Sequence, residues 1–271
     1  MGISAMHSAA TGMKALDTKL DVVANNLANI NTVGFKRSRT NFEDLFYQTL
    51  REPGARDAND EPAPHGIQVG LGVLVSGTQL DFSSGSIDPT NRKLDIAIDG
   101  EGFFQVRTFY NGEETIAYTR AGNFVRNANG LLVLANSEGA VIEPPIEIPQ
   151  DAAEESITIG RDGRVSVKEY GGGPNEVEIG QIEMARFVNP EGLKSIGKNL
   201  YVETDASGQP ITGLPQEDGL GGLVQGNLEG SNVEPVRELV DLIFTQRGFE
   251  LNSQAIQSAD EGLRIVANLR R

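Results

Sequence analysis

Acidic side chains are the residues of this chain whose type and spacing could do chemistry. The glutamate pairs at 113–114 and 154–155, together with Asp218, could in principle supply the two carboxylates that hydrolyse a glycosidic bond. Adjacent residues on a strand point to opposite faces, however, and acids in loops are usually solvated. We therefore expect none of these residues to be catalytic, and a secreted carbohydrate-active enzyme is the alternative from another functional class.

Metal and cofactor chemistry is not indicated by the sequence either. His7 and His65 have no second histidine at the spacing of a metal site, and the chain has no cysteine. The glycine clusters at 70–72 and 219–222 lack the strand–turn–helix context that a nucleotide-binding loop needs. We therefore expect no metal and no cofactor.

The net charge of −15 is concentrated in the middle of the chain. Residues 37–231 carry 15 basic and 30 acidic side chains, whereas residues 1–36 and 232–271 have net charges of +1 and −1. A middle this acidic repels nucleic acid and anionic lipid, while the near-neutral ends can pack against copies of themselves. No apolar run reaches the length of a membrane span, and we recognise no secretory signal peptide.

A long helix is predicted over residues 233–269. Its apolar residues recur every seven positions, as in a coiled-coil seam: Leu242, Phe249, Ile256 and Leu263. The intermediate position of the repeat is partly polar, at Thr245 and Asn252. Pro235 suits a first helical turn, and a helix of this length would extend about 50 Å. A half-apolar seam this long needs a partner from elsewhere in the chain.

A second helix, predicted over residues 3–31, can supply that partner. Its apolar residues follow alternating steps of three and four: Met6, Ala9, Met13, Leu16, Leu20, Val23, Leu27 and Ile30. A plain amphipathic helix on a globular core would need a wider apolar face, and the opposite side here carries Lys19, Asn25 and Asn29. We therefore predict that the two terminal helices pair as a coiled coil.

The amide side chains within residues 24–32 are unusual for a helix, because asparagine competes for backbone hydrogen bonds. Asn25 and Asn29 lie one turn apart, on the side opposite the apolar seam. One interpretation buries these amides, together with Asn26, against neighbouring subunits. The other is a frayed helix end that Gly34 terminates in a left-handed conformation. The two interpretations are compatible.

These residues resemble the signatures of the bacterial flagellar rod and hook family. Residues 24–36 match the N-terminal signature, with Ala-Asn-Asn-Leu-Ala-Asn-Ile-Asn-Thr followed by Val-Gly-Phe-Lys. Residues 232–233 and the Arg-Gly-Phe-Glu-Leu-Asn-Ser run at 247–253 match the C-terminal signature. The chain departs from that signature at Gly248, where alanine is expected, and at Gln254, where lysine is expected.

Residues 37–80 are predicted to form a junction. Four of its apolar residues have helical spacing: Phe42, Leu45, Phe46 and Leu50. Residues 69–75 then alternate like a single strand. The stretches 47–54 and 66–70 resemble a segment of the family's distal rod member that the curved hook member lacks. This resemblance implies a rod-type hairpin, with these residues: Tyr47, Leu50, Pro53, Gly54, Ile67, Val69 and Gly70.

We expect this hairpin to wedge between axially adjacent subunits, with its apolar residues folding it back and its tip at 57–61 solvated. The alternative is an idle surface loop. Residues 81–220 are predicted to be β-rich, with hairpins at Asn127–Gly130 and Arg161–Gly163 and a bulge at Gly180.

The expected fold is therefore α+β, with long N- and C-terminal helices paired as a coiled coil, an inserted β-rich domain and a junction hairpin. We predict a terminal helical domain (1–36 with 232–271), a junction (37–80 with 213–231) and an inserted β-rich domain (81–212). The resemblance implies a structural subunit of the distal rod, which assembles helically into a hollow, rigid shaft that transmits torque to the hook. A proximal rod or hook-basal protein is the alternative within the family.

The resemblance also implies partners and a location. Expected partners are copies of the chain itself, proximal rod proteins, the hook protein, the surrounding P- and L-ring proteins and the flagellar type III export apparatus. The expected location is the periplasm-spanning rod, reached without a cleavable signal peptide. The expected subunit-interface residues are Leu16, Leu20, Val23, Asn25, Asn26, Leu27, Asn29, Ile30, Leu242, Phe249, Asn252, Ile256 and Leu263.

Overall fold

A computed structural model describes residues 2–54, 64–168 and 176–269. Its residues fall into two compact units. The helical unit comprises Met1–Ala28, Ser38–Leu80 and Glu234–Arg271, and the β-rich unit comprises Asn29–Arg37 and Asp81–Val233. No helix in the described ranges is both long enough and apolar enough to cross a membrane. The predicted combination of two terminal helices with a β-rich middle is confirmed.

The helical unit contains two helices and two antiparallel ribbons. Its elements are α1 (Gly2–Ala28), β1 (Ser38–Asp44), β2 (Tyr47–Arg51), β3 (Ile67–Gly70), β4 (Val73–Leu80) and α2 (Pro235–Leu269). Strand β1 pairs with β4, and β2 pairs with β3. Helix α1 packs along α2 and also contacts β1 and β4.

Small and polar residues on α1 make its contacts with the strands. The Thr11 hydroxyl accepts a hydrogen bond from the Val73 backbone N–H at 3.4 Å, and the Ser8 hydroxyl donates to the Gly70 carbonyl at 3.3 Å. Ala15 is buried although it lies outside the predicted seam. The buried surface of α1 is therefore wider than the predicted seam, in which apolar residues are three and four positions apart. The reason is that α1 packs against α2 on one side and against β1 and β4 on another.

The helix ends follow local signals closely. Helix α2 begins at Pro235, two residues after the predicted start, and its 35 residues correspond to about 50 Å. Helix α1 ends at Ala28, three residues before the predicted end, so that Asn29 and Ile30 lie in the turn that follows. Gly34 has a φ of 67°, which confirms its predicted left-handed conformation, but it lies six residues after Ala28 and therefore does not terminate α1 as predicted.

Two predictions for the junction are wrong. The residues with helical spacing at 42–50 lie on strands β1 and β2 and in the link between them. The alternating stretch at 69–75 is also not one strand, because it is split between β3 and β4. Both errors arise because each strand pairs with a segment far along the chain, as Phe42 does with Val75.

The β-rich unit contains sixteen strands in its described residues. They are β5 (Ile87–Pro89), β6 (Ile96–Asp99), β7 (Phe103–Tyr110), β8 (Glu113–Thr119), β9 (Phe124–Arg126), β10 (Leu132–Leu134), β11 (Val141–Ile142), β12 (Ile157–Ile159), β13 (Arg164–Lys168), β14 (Glu176–Gln181), β15 (Met184–Arg186), β16 (Lys194–Gly197), β17 (Leu200–Val202), β18 (Ile211–Gly213), β19 (Gly222–Gln225) and β20 (Asn227–Glu229).

The main sheet has nine strands and covers the principal core. Its order is β16-β17-β8-β7-β11-β10-β9, and β15 bridges β7 and β18. The largest core side chains on and near it include Phe104 and Phe124, whose ring centroids are 5.2 Å apart in an edge-on arrangement. The predicted hairpins are present as β9–β10 and β12–β13, and the register shift in the β13–β14 pair confirms the predicted bulge at Gly180.

Candidate assembly surfaces

The Asn26 side chain is buried inside the helical unit, where it is 1% exposed. Its Oδ1 accepts a hydrogen bond from the Ser38 backbone N–H at 3.0 Å, and its Nδ2 donates to the Ser38 carbonyl at 2.8 Å. The same Nδ2 lies 3.3 Å from Oε2 of Glu238 on α2. One amide thus joins α1, β1 and α2. It bonds to both the N–H and the C=O of Ser38, as the backbone of a neighbouring β-strand would.

The two helices are antiparallel and have a defined register. A Cβ built on Gly12 would lie 3.2 Å from Nδ2 of Asn252, and one built on Gly248 would lie 3.1 Å from Cδ1 of Leu16. Lys19 Nζ is 3.9 Å from Asp241 Oδ1. Glycine at 248, where the family signature has alanine, thus leaves room for the Leu16 side chain.

The predicted seam residues lie mostly along this helix contact. Val23 is buried, and these residues are half-buried: Leu16, Leu20, Leu27, Leu242, Asn252 and Ile256. Phe249 and Leu263 are exposed, at 44% and 38%. Thr245, a polar residue within the apolar repeat of α2, also faces α1 and is 2% exposed. Its hydroxyl donates a hydrogen bond to the Asp241 carbonyl at 2.7 Å.

The remaining predicted interface residues are more accessible. Asn25 is exposed on α1, on the side away from the buried Val23. Asn29 and Ile30 are half-buried and belong to the β-rich unit, where Asn29 Oδ1 accepts a hydrogen bond from the Thr32 hydroxyl at 3.1 Å. Asn26 differs from Asn25 and Asn29 in being buried, with its amide bonded to Ser38 and Glu238 inside the helical unit.

Sequence reasoning missed a second apolar surface on α2, which we call the outer apolar face. Its side chains point away from α1 and are exposed: Val236, Leu239, Val240, Ile243, Phe244 and Leu251. Val236 and Phe244 are 75% and 69% exposed. Most of the face lies in the first half of α2, because polar residues such as Gln257 take the same side further along, although Ile265 there is also exposed, at 61%. Its signal is present in the sequence, as apolar residues of α2 outside the seven-residue repeat.

Most residues of the predicted rod-type hairpin lie on the antiparallel ribbon of β2 and β3. Tyr47 pairs with Gly70, and the Tyr47 ring covers that glycine closely, since a Cβ there would lie 3.4 Å from Cε1. The four apolar members at positions 47, 50, 67 and 69 are all exposed, as is Phe46 at 88%. Pro53 and Gly54 lie in the turn after β2, whereas the predicted solvated tip at 57–61 is outside the described residues.

A buried charged cluster lies in the β-rich unit, where the family signatures meet. Lys36 and Glu229 have side chains with 0% exposure, and Lys36 Nζ lies 2.7 Å from Glu229 Oε1. Arg120 Nη1 approaches the other carboxylate oxygen at 3.3 Å. The Gly85 backbone N–H donates to Glu229 Oε1 at 3.0 Å, and Lys36 also donates to the Ser83 carbonyl at 2.7 Å. Both carboxylate oxygens of Glu229 therefore accept hydrogen bonds from donors.

The C-terminal signature residue Asn232 serves the same region. Its Oδ1 accepts a hydrogen bond from the Arg37 backbone N–H at 2.7 Å, and its Nδ2 donates to the Asp81 carbonyl at 2.8 Å. The Gly34 backbone N–H donates to the Glu229 carbonyl at 2.8 Å. These contacts hold the segment that follows α1 against the segment that precedes α2.

Burial sets the electrostatics of this cluster. It lowers the pKa of Lys36 and of Arg120 below their ordinary values, while the Glu229 carboxylate opposes both shifts. Nearby, burial raises the pKa of Tyr201 to about 12, and the negative charge of Glu229 adds to this shift. The Tyr201 ring belongs to an aromatic group with Phe82 and Phe103, whose centroids lie 5.3 and 6.4 Å from it.

The acidic residues singled out for possible chemistry do not converge. The glutamates at 113–114 and 154–155 and Asp218 are all exposed, as are His7 and His65. Glu114 forms an ion pair with Arg107 at 3.5 Å. Within the part of the chain that the structure describes, no group of three or more His, Cys, Asp or Glu side chains could hold a metal ion.

Three family models match separate parts of the chain. Residues 6–36 match the flagella basal body rod protein model, residues 97–167 match the flagellar hook protein FlgE/F/G D1 domain, and residues 224–269 match the flagellar basal body rod FlgEFG protein C-terminal model. The first and last of these matches cover most of α1 and α2 together with the predicted signatures.

Full-length relatives agree with these matches. The flagellar basal-body rod protein FlgG of Borreliella burgdorferi is 44% identical over 267 residues, which cover 98% of both chains. The FlgG of Agrobacterium fabrum is 44% identical over 97% of this chain and 98% of its own. The FlgG of Caulobacter vibrioides is 42% identical over 99% of this chain and 100% of its own. At these identities over nearly the whole chain, the chain belongs to the FlgG family of flagellar basal-body rod proteins, which are structural proteins.

Proposed function

We propose that this structural rod protein is a distal-rod subunit, which assembles helically with copies of itself into a hollow and rigid shaft that transmits torque to the hook. The outer apolar face of α2 is the observation that carries this proposal, because α1 already occupies the opposite side of α2. Burying a large apolar side chain stabilises a contact by roughly 1.5–3 kcal/mol, so six exposed ones favour association.

The terminal helices would act as a coiled coil in this assembly. The antiparallel contact and the seven-residue repeat support that form, with Leu16, Leu20, Val23 and Leu27 of α1 facing the repeat of α2. We propose that Asn25, Asn29 and Ile30 contact neighbouring subunits directly. Asn26 contributes from inside the chain instead, by holding the helix pair on which those contacts depend.

The rod-type hairpin would make the shaft stiff. Its apolar residues are exposed rather than buried in their own chain, which is what a wedge between axially adjacent subunits requires. Such a wedge would block the sliding of subunits that allows a hook to bend. The hairpin also favours the distal rod over the alternative within the family, a proximal rod or hook-basal protein.

The proposed partners follow from a place in the distal rod. They are proximal rod proteins below, the hook protein above, the P- and L-ring proteins around the shaft, and the flagellar type III export apparatus that delivers the subunit to the periplasm. We also propose that the predicted division into terminal, junction and inserted β-rich domains describes the assembled subunit.

Electron microscopy of the concentrated, purified chain tests this function. We expect hollow tubes of uniform diameter, and a map of these tubes should have α1 and α2 near the lumen. A protein that stays monomeric at every concentration, or that forms only irregular aggregates, would contradict helical self-assembly. A muramidase assay on the same sample addresses the alternative from another functional class, and we expect no activity.

A further inference from the structure

The apolar repeat of the helix pair does not by itself define one register. On α2 it recurs every seven residues, and on α1 the seam residues also recur every seven, as Ala9, Leu16 and Val23 do. A slide of α2 by one repeat would move it about 10 Å along α1 and would still place apolar side chains opposite apolar side chains. Some other feature has to select the observed register.

Three contacts that do not repeat can make this selection. Gly12 faces Asn252, Leu16 faces Gly248, and Asn26 faces Glu238. Each step forward along α1 is matched by the same step back along α2, so all three contacts belong to one antiparallel register. After a slide of one repeat, Leu16 would meet Ala255 in place of the glycine, and Asn26 would meet Thr245.

The Asn26 contact is the most specific of the three. Two hydrogen bonds to the Ser38 backbone fix the orientation of its amide, so the remaining donor hydrogen of Nδ2 has one direction. Glu238 lies in that direction and is 1% exposed, and moving a buried carboxylate away from a donor is costly. Thr245 would be a weaker acceptor than Glu238, because its hydroxyl carries no negative charge and sits on a shorter side chain, which its own hydrogen bond orients towards the Asp241 carbonyl.

We propose that Asn26 and Glu238 select the register of α1 against α2. Gly12 and Gly248 support this register, because their missing side chains leave space for Asn252 and Leu16, respectively. A buried polar pair in an otherwise apolar seam is a known way to specify register. The consequence for assembly rests on the proposed function: the register decides which part of the outer apolar face lies beside Asn25 for a neighbouring copy to meet.

Cysteine cross-linking measures the register directly, because the chain has no cysteine of its own. Val23→Cys with Leu242→Cys reports the observed register, and Val23→Cys with Phe249→Cys reports a slide of one repeat. None of these positions belongs to the three selecting contacts. Each pair is treated with a short bis-maleimide in dilute full-length protein, in the parent and in Asn26→Leu, Glu238→Leu and Glu238→Gln backgrounds.

We expect the 23–242 pair to cross-link at least tenfold more than the 23–249 pair in the parent and in Glu238→Gln, whose amide oxygen still accepts from Asn26. In Glu238→Leu the 23–249 product should rise at the expense of the 23–242 product. Glu238→Leu leaves the hydrogen bonds between Asn26 and Ser38 in place, so it covers the case in which Asn26→Leu fails to fold.

An unchanged cross-linking pattern in Glu238→Leu would overturn the proposal, because the register would then be set elsewhere. Loss of both products in this variant would also overturn it, because the contact would then hold the helices together without choosing between registers. Tube formation is scored separately by electron microscopy. Absence of tubes in the parent would count against the proposed function alone, since the cross-links are read on dissolved protein.

Discussion

Lys36 Nζ lies 2.7 Å from Glu229 Oε1, and neither side chain has any exposed surface. Lys36 ends the N-terminal signature shortly after α1, and Glu229 ends the last strand before α2. The ion pair therefore ties together the two chain segments from which the terminal helices continue. Lys36, which the sequence marked only as the last residue of a family signature, thus has a role within one chain.

The first prediction is that Lys36→Met destabilises the β-rich unit. Removing one partner of a buried ion pair leaves the other charge poorly compensated, and we expect a loss of about 3 kcal/mol in the free energy of unfolding. Urea unfolding followed by tyrosine fluorescence measures this loss. As a control, the double variant Lys36→Met/Glu229→Gln should lose less stability than the sum of the losses of the two single variants. A double-variant loss equal to that sum would contradict a direct interaction between the two side chains.

The second prediction concerns alkaline pH and Tyr201. Folding raises the pKa of this phenol from 10.0 to about 12, so the unfolded chain releases the proton first. The contribution to stability is therefore present below pH 10 and is lost as the pH rises from 10 towards 12. Tyr201→Phe cannot ionise, and its stability should fall less between pH 8 and pH 11 than that of the parent, by about 1 kcal/mol. Equal falls in both proteins would refute the burial of an un-ionised phenol.

The third prediction separates backbone strain from close packing at Gly34. Gly34 and Gly139 have similar φ angles of 67° and 63°, but a Cβ on Gly34 would lie 2.6 Å from the Ala121 backbone nitrogen, whereas one on Gly139 would meet nothing within 4 Å. We expect Gly139→Ala to cost about 1 kcal/mol and Gly34→Ala about 3 kcal/mol. Thermal unfolding of both variants checks this, and similar melting temperatures would show that the close approach is not limiting.

Local signals explain which parts of the fold the sequence could predict. Pro235, Gly34 and the glycine turns at 130 and 163 act on residues next to them, and the elements they predict are present. The ribbon strands were missed because Phe42 pairs with Val75, and no short-range pattern identifies such a partner. The sequence likewise contains both apolar faces of α2, but it cannot tell which face the chain covers itself.

The site residues divide in the same way. The seam positions could be predicted from periodicity, whereas the internal role of Asn26 depends on Ser38 and Glu238, which lie 12 and 212 residues away along the chain. Lys36 was recognised only as part of a signature. No local pattern marks Lys36 for burial, because its partner, 193 residues away, is fixed only by the tertiary fold.

The fourth prediction concerns the stiffness of the assembled shaft. Deleting residues 50–66 and closing the gap with a short Gly-Ser linker should leave polymerisation intact, because this segment is distant in sequence from both helices. We expect more flexible tubes, since the shortened hairpin would no longer reach between axially adjacent subunits and block their sliding. The persistence length of the tubes, measured on electron micrographs, checks this prediction. An unchanged persistence length would contradict the wedge and favour the alternative, a surface loop without a role in stiffness.

The central claim is that the outer apolar face of α2 drives self-assembly, and a matched pair of α2 variants tests it most directly. Phe244→Asp places a charge in the middle of that face, and Gln257→Asp places the same charge on the polar half of the same helix. The measurement is the amount of tube seen by electron microscopy at equal concentration, with circular dichroism confirming that both variants fold. Our account predicts at least tenfold fewer tubes for Phe244→Asp and parental amounts for Gln257→Asp. Parental amounts of tube from folded Phe244→Asp would contradict it.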